Sequence, residues 1–189
     1  MVKWNDKRLI FLYVVVLIGI FFLWKFIGPV VLFKNVKMSI IKQNGTIDNL
    51  DAPRVSDFSE EYYINTINFP DGSVLHHKDL GNFGYSADFF INFQTRVEVL
   101  KSGLYIFQIA SDDGFRFFIN TNIIGEFLTN RPFATNQYTV MLNKGLYDFY
   151  IDYYQGYGLL GVTAKYQHNE DSRSYYIGEN SPYFRFLRK

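Results

Sequence analysis

The chain has 189 residues, 19 Lys and Arg against 18 Asp and Glu for a formal net charge of +1, and no cysteine. That length suits one domain with an accessory segment. The near-neutral charge argues against nucleic acid as a partner, and the absence of thiols excludes a disulfide framework, a thiolate zinc site, a cysteine nucleophile and a lipoprotein anchor.

The first element in chain order is Leu9–Trp24, LIFLYVVVLIGIFFLW, which carries no charge. Sixteen helical residues reach about 24 Å, short of the ~30 Å hydrocarbon core of a bilayer. Continuing through Phe33 supplies the missing length, with Lys25 running its stem along the helix and Trp4 and Trp24 at the headgroup boundaries. Residues 1–8 are then a cytoplasmic tail and 9–33 a transmembrane anchor. A cleaved signal peptide is the competing reading, but no small-x-small site follows the run, and Gly28 precedes Pro29. A one-sided buried helix would need a polar face that this run lacks. Lys3, Lys7 and Arg8 before the run nearly cancel Lys25, Lys34 and Lys37 after it. The short tail ahead of a large C-terminal domain favours N-in, C-out. The expected location is the cytoplasmic (inner) membrane, single-pass, with the C-terminal domain in the periplasm or outside the cell.

Residues 34–57 read as a linker or an extra strand, since Val36, Met38 and Ile40 alternate and Asn44-Gly45 and Pro53 break the segment. From Phe58 the period is two. Phe89, Ile91, Phe93, Thr95, Val97 and Val99 share one face, and Asn92, Gln94, Arg96 and Glu98 the other. Further strands are predicted over 104–110, 115–119, 138–142, 146–154 and 159–166, separated by Gly/Asn turns. Short, evenly spaced strands rich in aromatics predict an all-β fold, an antiparallel β-sandwich over 58–166. Residues 167–189 form a polar, then aromatic and basic tail that either folds back or presents a contact surface.

Ser111-Asp112-Asp113-Gly114-Phe115-Arg116 is the most informative stretch. Adjacent carboxylates at the end of an apolar strand repel each other, and a bound cation is the first candidate to compensate them. The plain alternative is a turn whose carboxylates accept backbone N–H groups. Two adjacent carboxyls do not straddle a glycosidic bond, which requires a separation of about 5 to 9 Å. His76-His77, with His168 far along the chain, reads as a solvated loop before a metal site. No nucleophile elbow, phosphate loop or zinc motif occurs, so no enzyme is expected.

The blocks 101–119, KSGLYIFQIASDDGFRFFI, and 143–166, with Gly145-Leu146-Tyr147 and Ile151-Asp152-Tyr153-Tyr154-Gln155-Gly156, resemble the sandwich domain named after the fourteen-kilodalton fragment of anthrax protective antigen, also found in yeast flocculins. Glu61-Tyr62-Tyr63 with Asn65 and Phe69 is similar to that family's opening strand. In the flocculin branch an Asp-Asp pair joined by a cis peptide binds calcium, which helps to hold a sugar. The resemblance thus implies calcium at Asp112 and Asp113, with Gln155 or Asn122 as the further oxygen donor.

The chain departs from the family pattern in three places. Phe93-Gln94-Thr95 replaces Trp-Thr-Gly, Asn120-Thr121-Asn122 replaces an Asp-Gly hairpin, and the glycine-rich run after Tyr153-Tyr154 is thinner. These departures favour a non-enzymatic, membrane-anchored structural or assembly module that contacts protein partners in an envelope machine of the secretion-system or flagellar-motor type. The alternative is a calcium-dependent carbohydrate-binding module, lectin- or adhesin-like, with a glycan as its partner.

Overall fold

A computed structural model describes residues 7–31, 34–55 and 58–187, with the side chains of the helix described over 9–22. The expected roles of the tail charges and of Trp4, Trp24 and Lys25 lie outside the described side chains. The chain divides into a helical unit and a β unit that begins at Lys34.

The helical unit is α1 (Lys7–Val31), 25 residues. Its described side chains, Leu9 to Phe22, are apolar apart from the Tyr13 hydroxyl and are all exposed. That stretch rises only about 21 Å, and among the described residues no helix is long and apolar enough to cross a membrane.

The β unit begins with β1 (Val36–Lys42), β2 (Phe58–Ile64), β3 (Asn68–Gly72) and the short pair β4 (His76–His77) and β5 (Gly81–Asn82). The long strands β6 (Phe89–Val99) and β7 (Gly103–Asp112) follow, then β8 (Phe115–Ile119), β9 (Asn122–Phe127) and β10 (Ala134–Leu142). The chain ends with β11 (Gly145–Gln155), β12 (Leu160–His168), β13 (Tyr175–Tyr176) and β14 (Phe184–Leu187). One sheet runs β2-β1-β6-β11-β8-β9 with β14 also on β6, and the second runs β10-β7-β12-β13 with β3 also on β12. The pairings are antiparallel, and the fold is an all-β antiparallel sandwich.

Alternation decides which side chains enter the core. In β6, Phe89, Ile91, Phe93, Thr95, Val97 and Val99 are buried against the second sheet, whereas Arg96 faces water. The twelve largest fully buried side chains are all Tyr or Phe, so the aromatic excess goes mainly into packing. Two outward residues at one end of the sheet, Phe90 and Tyr154, are also buried, because the segment carrying Ile47 and Leu50 folds over them.

Residues on both flanks of the long strands complete this sheet. β1 covers β6 from Phe89 to Gln94, and β14 continues the same row from Arg96 to Val99. β14 inserts Phe184 between Tyr105 of β7 and Tyr166 of β12, with ring centroids 4.5 and 4.4 Å away and both pairs stacked. Phe107 and Phe149 complete its surroundings. Phe184→Ala is expected to cost about 3–5 kcal/mol of stability in urea unfolding, against less than about 0.5 kcal/mol for Met141→Ala, whose side chain is 63% exposed.

Candidate functional site

The second half of the sequence motif folds as a tight corner. β7 ends at Asp112, β8 starts at Phe115, and the Asp112–Asp113 peptide between them is cis. Ser111 Oγ donates to the Asp113 carbonyl at 2.6 Å and fixes the corner from within. The buried Tyr153 hydroxyl meets the Asp112 carbonyl and lies 2.8 Å from Gln155 Oε1. Gly114 has no room for a side chain, since an added Cβ would stand 2.4 Å from the Tyr154 ring and 2.6 Å from the Phe127 carbonyl.

The Asp113 carboxylate ties this corner to two other segments. Its Oδ2 accepts from Gly156 N–H at 2.9 Å, just past β11, and its Oδ1 accepts from Arg131 N–H at 3.1 Å, between β9 and β10. Gly156 is a second forced glycine. A Cβ there would lie 2.5 Å from the Ile47 carbonyl and 3.4 Å from Asp113 Oδ2. The segment that carries Ile47 is held down by Arg116 of the motif, whose guanidinium bonds Asp51 at 2.9 and 3.1 Å and Glu126 at 2.5 Å.

Asp112 and Asp113 line a cavity of about 400 Å³ together with Asn130, Arg131, Pro132, Tyr157 and Leu159. Tyr157 and Leu159 stand at its rim, 69% and 55% exposed, whereas Asp112 and Asp113 are buried. Burial, then the charges of Asp113 and Asp71, push the Asp112 carboxyl up to about 6, against relief from the Phe133 backbone and Arg131. Burial also raises Asp113, and the N–H groups of Gly156 and Arg131 hold it back. The Arg131 guanidinium donates to Ser111 Oγ at 2.7 Å and Asn136 Oδ1 at 2.5 Å and packs on Phe127 and Phe115, while its Nε is buried without a partner.

The predicted donors therefore divide. Asp112 and Asp113 share the cavity. Gln155 is fully buried, with its amide engaged by Tyr153 and by the Leu159 carbonyl at 2.8 Å. Asn122 lies opposite Ile119, at the far end of β8 from the corner. His77, expected in a solvated loop, is instead buried on the Thr66 carbonyl and packs on Phe69. The amide that does reach the cavity is Asn130, whose Oδ1 accepts from Tyr154 Oη at 2.7 Å. No periodic pattern marks it in the sequence, because it sits in the connection between β9 and β10. Among the described residues no group of three or more His, Cys, Asp or Glu side chains gathers around one point.

No curated protein matches this chain. Among solved structures, the fold is similar to the PA14 domain of the MpAFP antifreeze protein at 16% identity, over 77% of this chain and 87% of that one, with a TM-score of 0.61. It is similar to the PA14 sugar-binding domain from an RTX adhesin at 16% identity, over 75% and 94% of the two chains, with a TM-score of 0.61. The Epithelial Adhesin 9 A domain from Candida glabrata, solved with Galβ1-3GlcNAc, is 12% identical over 76% and 86% of the two chains, with a TM-score of 0.57. Residues 52–173, the span from the segment covering Phe90 to just beyond β12, match the PA14 domain. With the paired strands, the Asp-Asp corner and this match in agreement, the chain belongs to the PA14 domain family.

Proposed function

We propose that the β unit is a calcium-dependent carbohydrate-binding module, and that the apolar N-terminal segment 9–33 tethers it to a membrane with the sandwich on the outer side. The observation that carries the binding reading is the convergence of Asp112 and Asp113 in one cavity with Tyr157 at its rim. Two of the structurally similar domains, the RTX adhesin and Candida glabrata domains, are a sugar-binding domain and an adhesin solved with a disaccharide, and this supports the same ligand class here. The tether reading rests on the uncharged run Leu9–Trp24 and its continuation to Phe33.

The donors fit calcium by their chemistry. They are hard oxygens: two carboxylates and the Asn130 amide, to be completed by backbone carbonyls and water, with no cysteine thiolate in the chain. Burial raises both carboxyls, and the charges of Asp113 and Asp71 add to it at Asp112, so a cation would relieve a cost that Arg131 only partly offsets. When bound, the ion offers open coordination positions to sugar hydroxyls. Tyr157 supplies an amphipathic ring against the apolar face of a pyranose, and Leu159 extends that surface.

The assembly-module reading drew on departures from the family pattern. Two of them, Phe93-Gln94-Thr95 in β6 and Asn120-Thr121-Asn122 at the β8–β9 turn, are absent from the cavity lining and leave the carboxylates in place. The third, in the Gln155–Gly158 stretch, lies beside the cavity and bears on which sugar fits.

Calcium titration calorimetry and a glycan array, each run with and without EDTA, test the proposal. Asp112→Asn is the informative variant, because Asp113 also holds Gly156 and Arg131. Wild-type protein is expected to bind calcium and capture glycans only with the metal present, and Asp112→Asn to lose at least about tenfold in calcium affinity. Metal-independent capture would remove calcium from the reading. No capture in either condition would remove the sugar.

A pH dependence follows from the raised carboxyl. In EDTA the folded chain keeps the Asp112 proton up to about pH 6, while an unfolded aspartate releases it near 3.8. Between those values the folded state binds more protons, so this group's contribution to stability falls as pH rises. The difference in melting temperature between wild type and Asp112→Asn, scanned from about pH 4 to 7, is expected to change across that window and level off above it.

A further inference from the structure

β1 is the first strand after α1, with only residues 32–35 between them. It is hydrogen-bonded on both sides, to β2 through Val36–Lys42 and to β6 through Lys37–Lys42. Val36, Met38 and Ile40 are fully buried. Where the chain enters, the Asn35 carbonyl accepts from Thr95 Oγ at 2.7 Å and Asn35 Nδ2 donates to the Gly178 carbonyl at 3.0 Å.

The other end of β1 connects to the cavity by a short series of hydrogen bonds. Lys42 Nζ donates to the carbonyls of Ala87 and Asp88 at 2.7 and 3.2 Å, and Gln43 N–H donates to Asp88 O at 2.9 Å. Asp88 N–H then donates to Gly156 O at 2.8 Å, and Gly156 N–H to Asp113 Oδ2 at 2.9 Å. The cavity thus lies beyond the Lys42 end of β1, about 20 Å along the strand from Val36.

We propose that β1 is a mechanical clamp, so that a pull between a ligand in the cavity and the N-terminal segment is carried in shear by the β1–β2 and β1–β6 ladders. Inter-strand bonds in antiparallel pairs lie perpendicular to the strands. A force along β1 therefore strains both ladders together and drags three core side chains, whereas a force across the sheet opens the bonds one pair at a time. This arrangement suits a domain whose ligand belongs to another surface and whose own chain is held at its N-terminus. It depends on the place of the cavity and of β1, and not on which molecule the cavity takes.

Single-molecule pulling on the full chain tests the clamp, and the absence of native cysteine makes an engineered one a unique handle. One handle is fused at the N-terminus. The other is a cysteine introduced by Tyr157→Cys, beside the cavity, or by Ile123→Cys; both positions are exposed. Ile123 lies across the strands from β1, because Lys37 pairs with Gln94, Gln94 with Tyr150, Tyr150 with Phe118 and Phe118 with Ile123. Unfolding through the handle at position 157 is expected at a force at least about twofold higher than through the handle at position 123, since forced unfolding reports the barrier along the loaded coordinate. Equal forces, or a higher force for the Ile123→Cys variant, overturn the proposal. No ligand enters the measurement, so its failure and a failure of sugar or calcium binding are read separately.

Discussion

The Asp113 carboxylate accepts one backbone N–H from Gly156 and another from Arg131, and these two bonds bring three chain segments to a single corner. The segments come from different parts of the topology: the β7–β8 corner, the exit of β11 and the β9–β10 connection. Because the donors are backbone N–H groups, the join depends on one side chain, the Asp113 carboxylate. The same corner requires Gly114 and Gly156, where neighbouring backbone carbonyls leave no space for Cβ. Asp112, buried beside this neighbour, has its carboxyl raised by burial first and by the Asp113 charge second. A carboxylate held that way by the fold is available to a cation, and this is the physical content of the binding proposal.

The two sequence readings of Ser111–Gly114 fall on different residues: the turn geometry is that of Asp113, and the proposed cation belongs with Asp112. Asp113 behaves as a turn carboxylate that accepts backbone N–H groups, while Asp112 lines the cavity with the Phe133 backbone and the charge of Arg131 to relieve it. Spacing alone does not separate them, since the two residues are adjacent and of the same type. What distinguishes them is which neighbouring loop offers an N–H, and that is a tertiary fact. Gln155 shows the same limit. It stands next to the glycine that bonds Asp113, yet strand alternation turns its side chain onto Tyr153 and away from the cavity.

The long strands were legible because a period of two survives wherever one face is buried and the other is wet, as in β6. That logic fails at Phe90 and Tyr154, which point outward and are nonetheless buried under Ile47 and Leu50. Nothing in the local pattern of the covering segment announces a second small core. Arg116 helps to hold the cover by reaching from β8 to Asp51, alongside the Ile47 N–H on Asp88 Oδ1 and the Leu50 N–H on the Leu128 carbonyl. Phe184 was equally obscure: the pattern of the tail does not choose between folding back and presenting a contact surface, and the gap between Tyr105 and Tyr166 makes Phe184 core.

Aromatic content does not by itself indicate a ligand platform in this chain. Tilted and edge-on ring pairs in the core account for most of the large buried residues, from Phe69 in β3 to Phe184 in β14. Tyr157 is different in kind, because its ring projects from a turn that ends in Gly158 at φ +96° and is left to solvent beside the carboxylates. Leaving a Tyr and a Leu uncovered next to two buried acids forgoes hydrophobic burial beside the carboxylates. The same end of the sandwich gathers Gly114 and Gly156, the raised carboxyls and the hydrogen-bonded link to β1. Packing therefore governs the middle of the domain, and at this end uncovered apolar side chains stand beside buried acids, the combination on which the binding proposal rests.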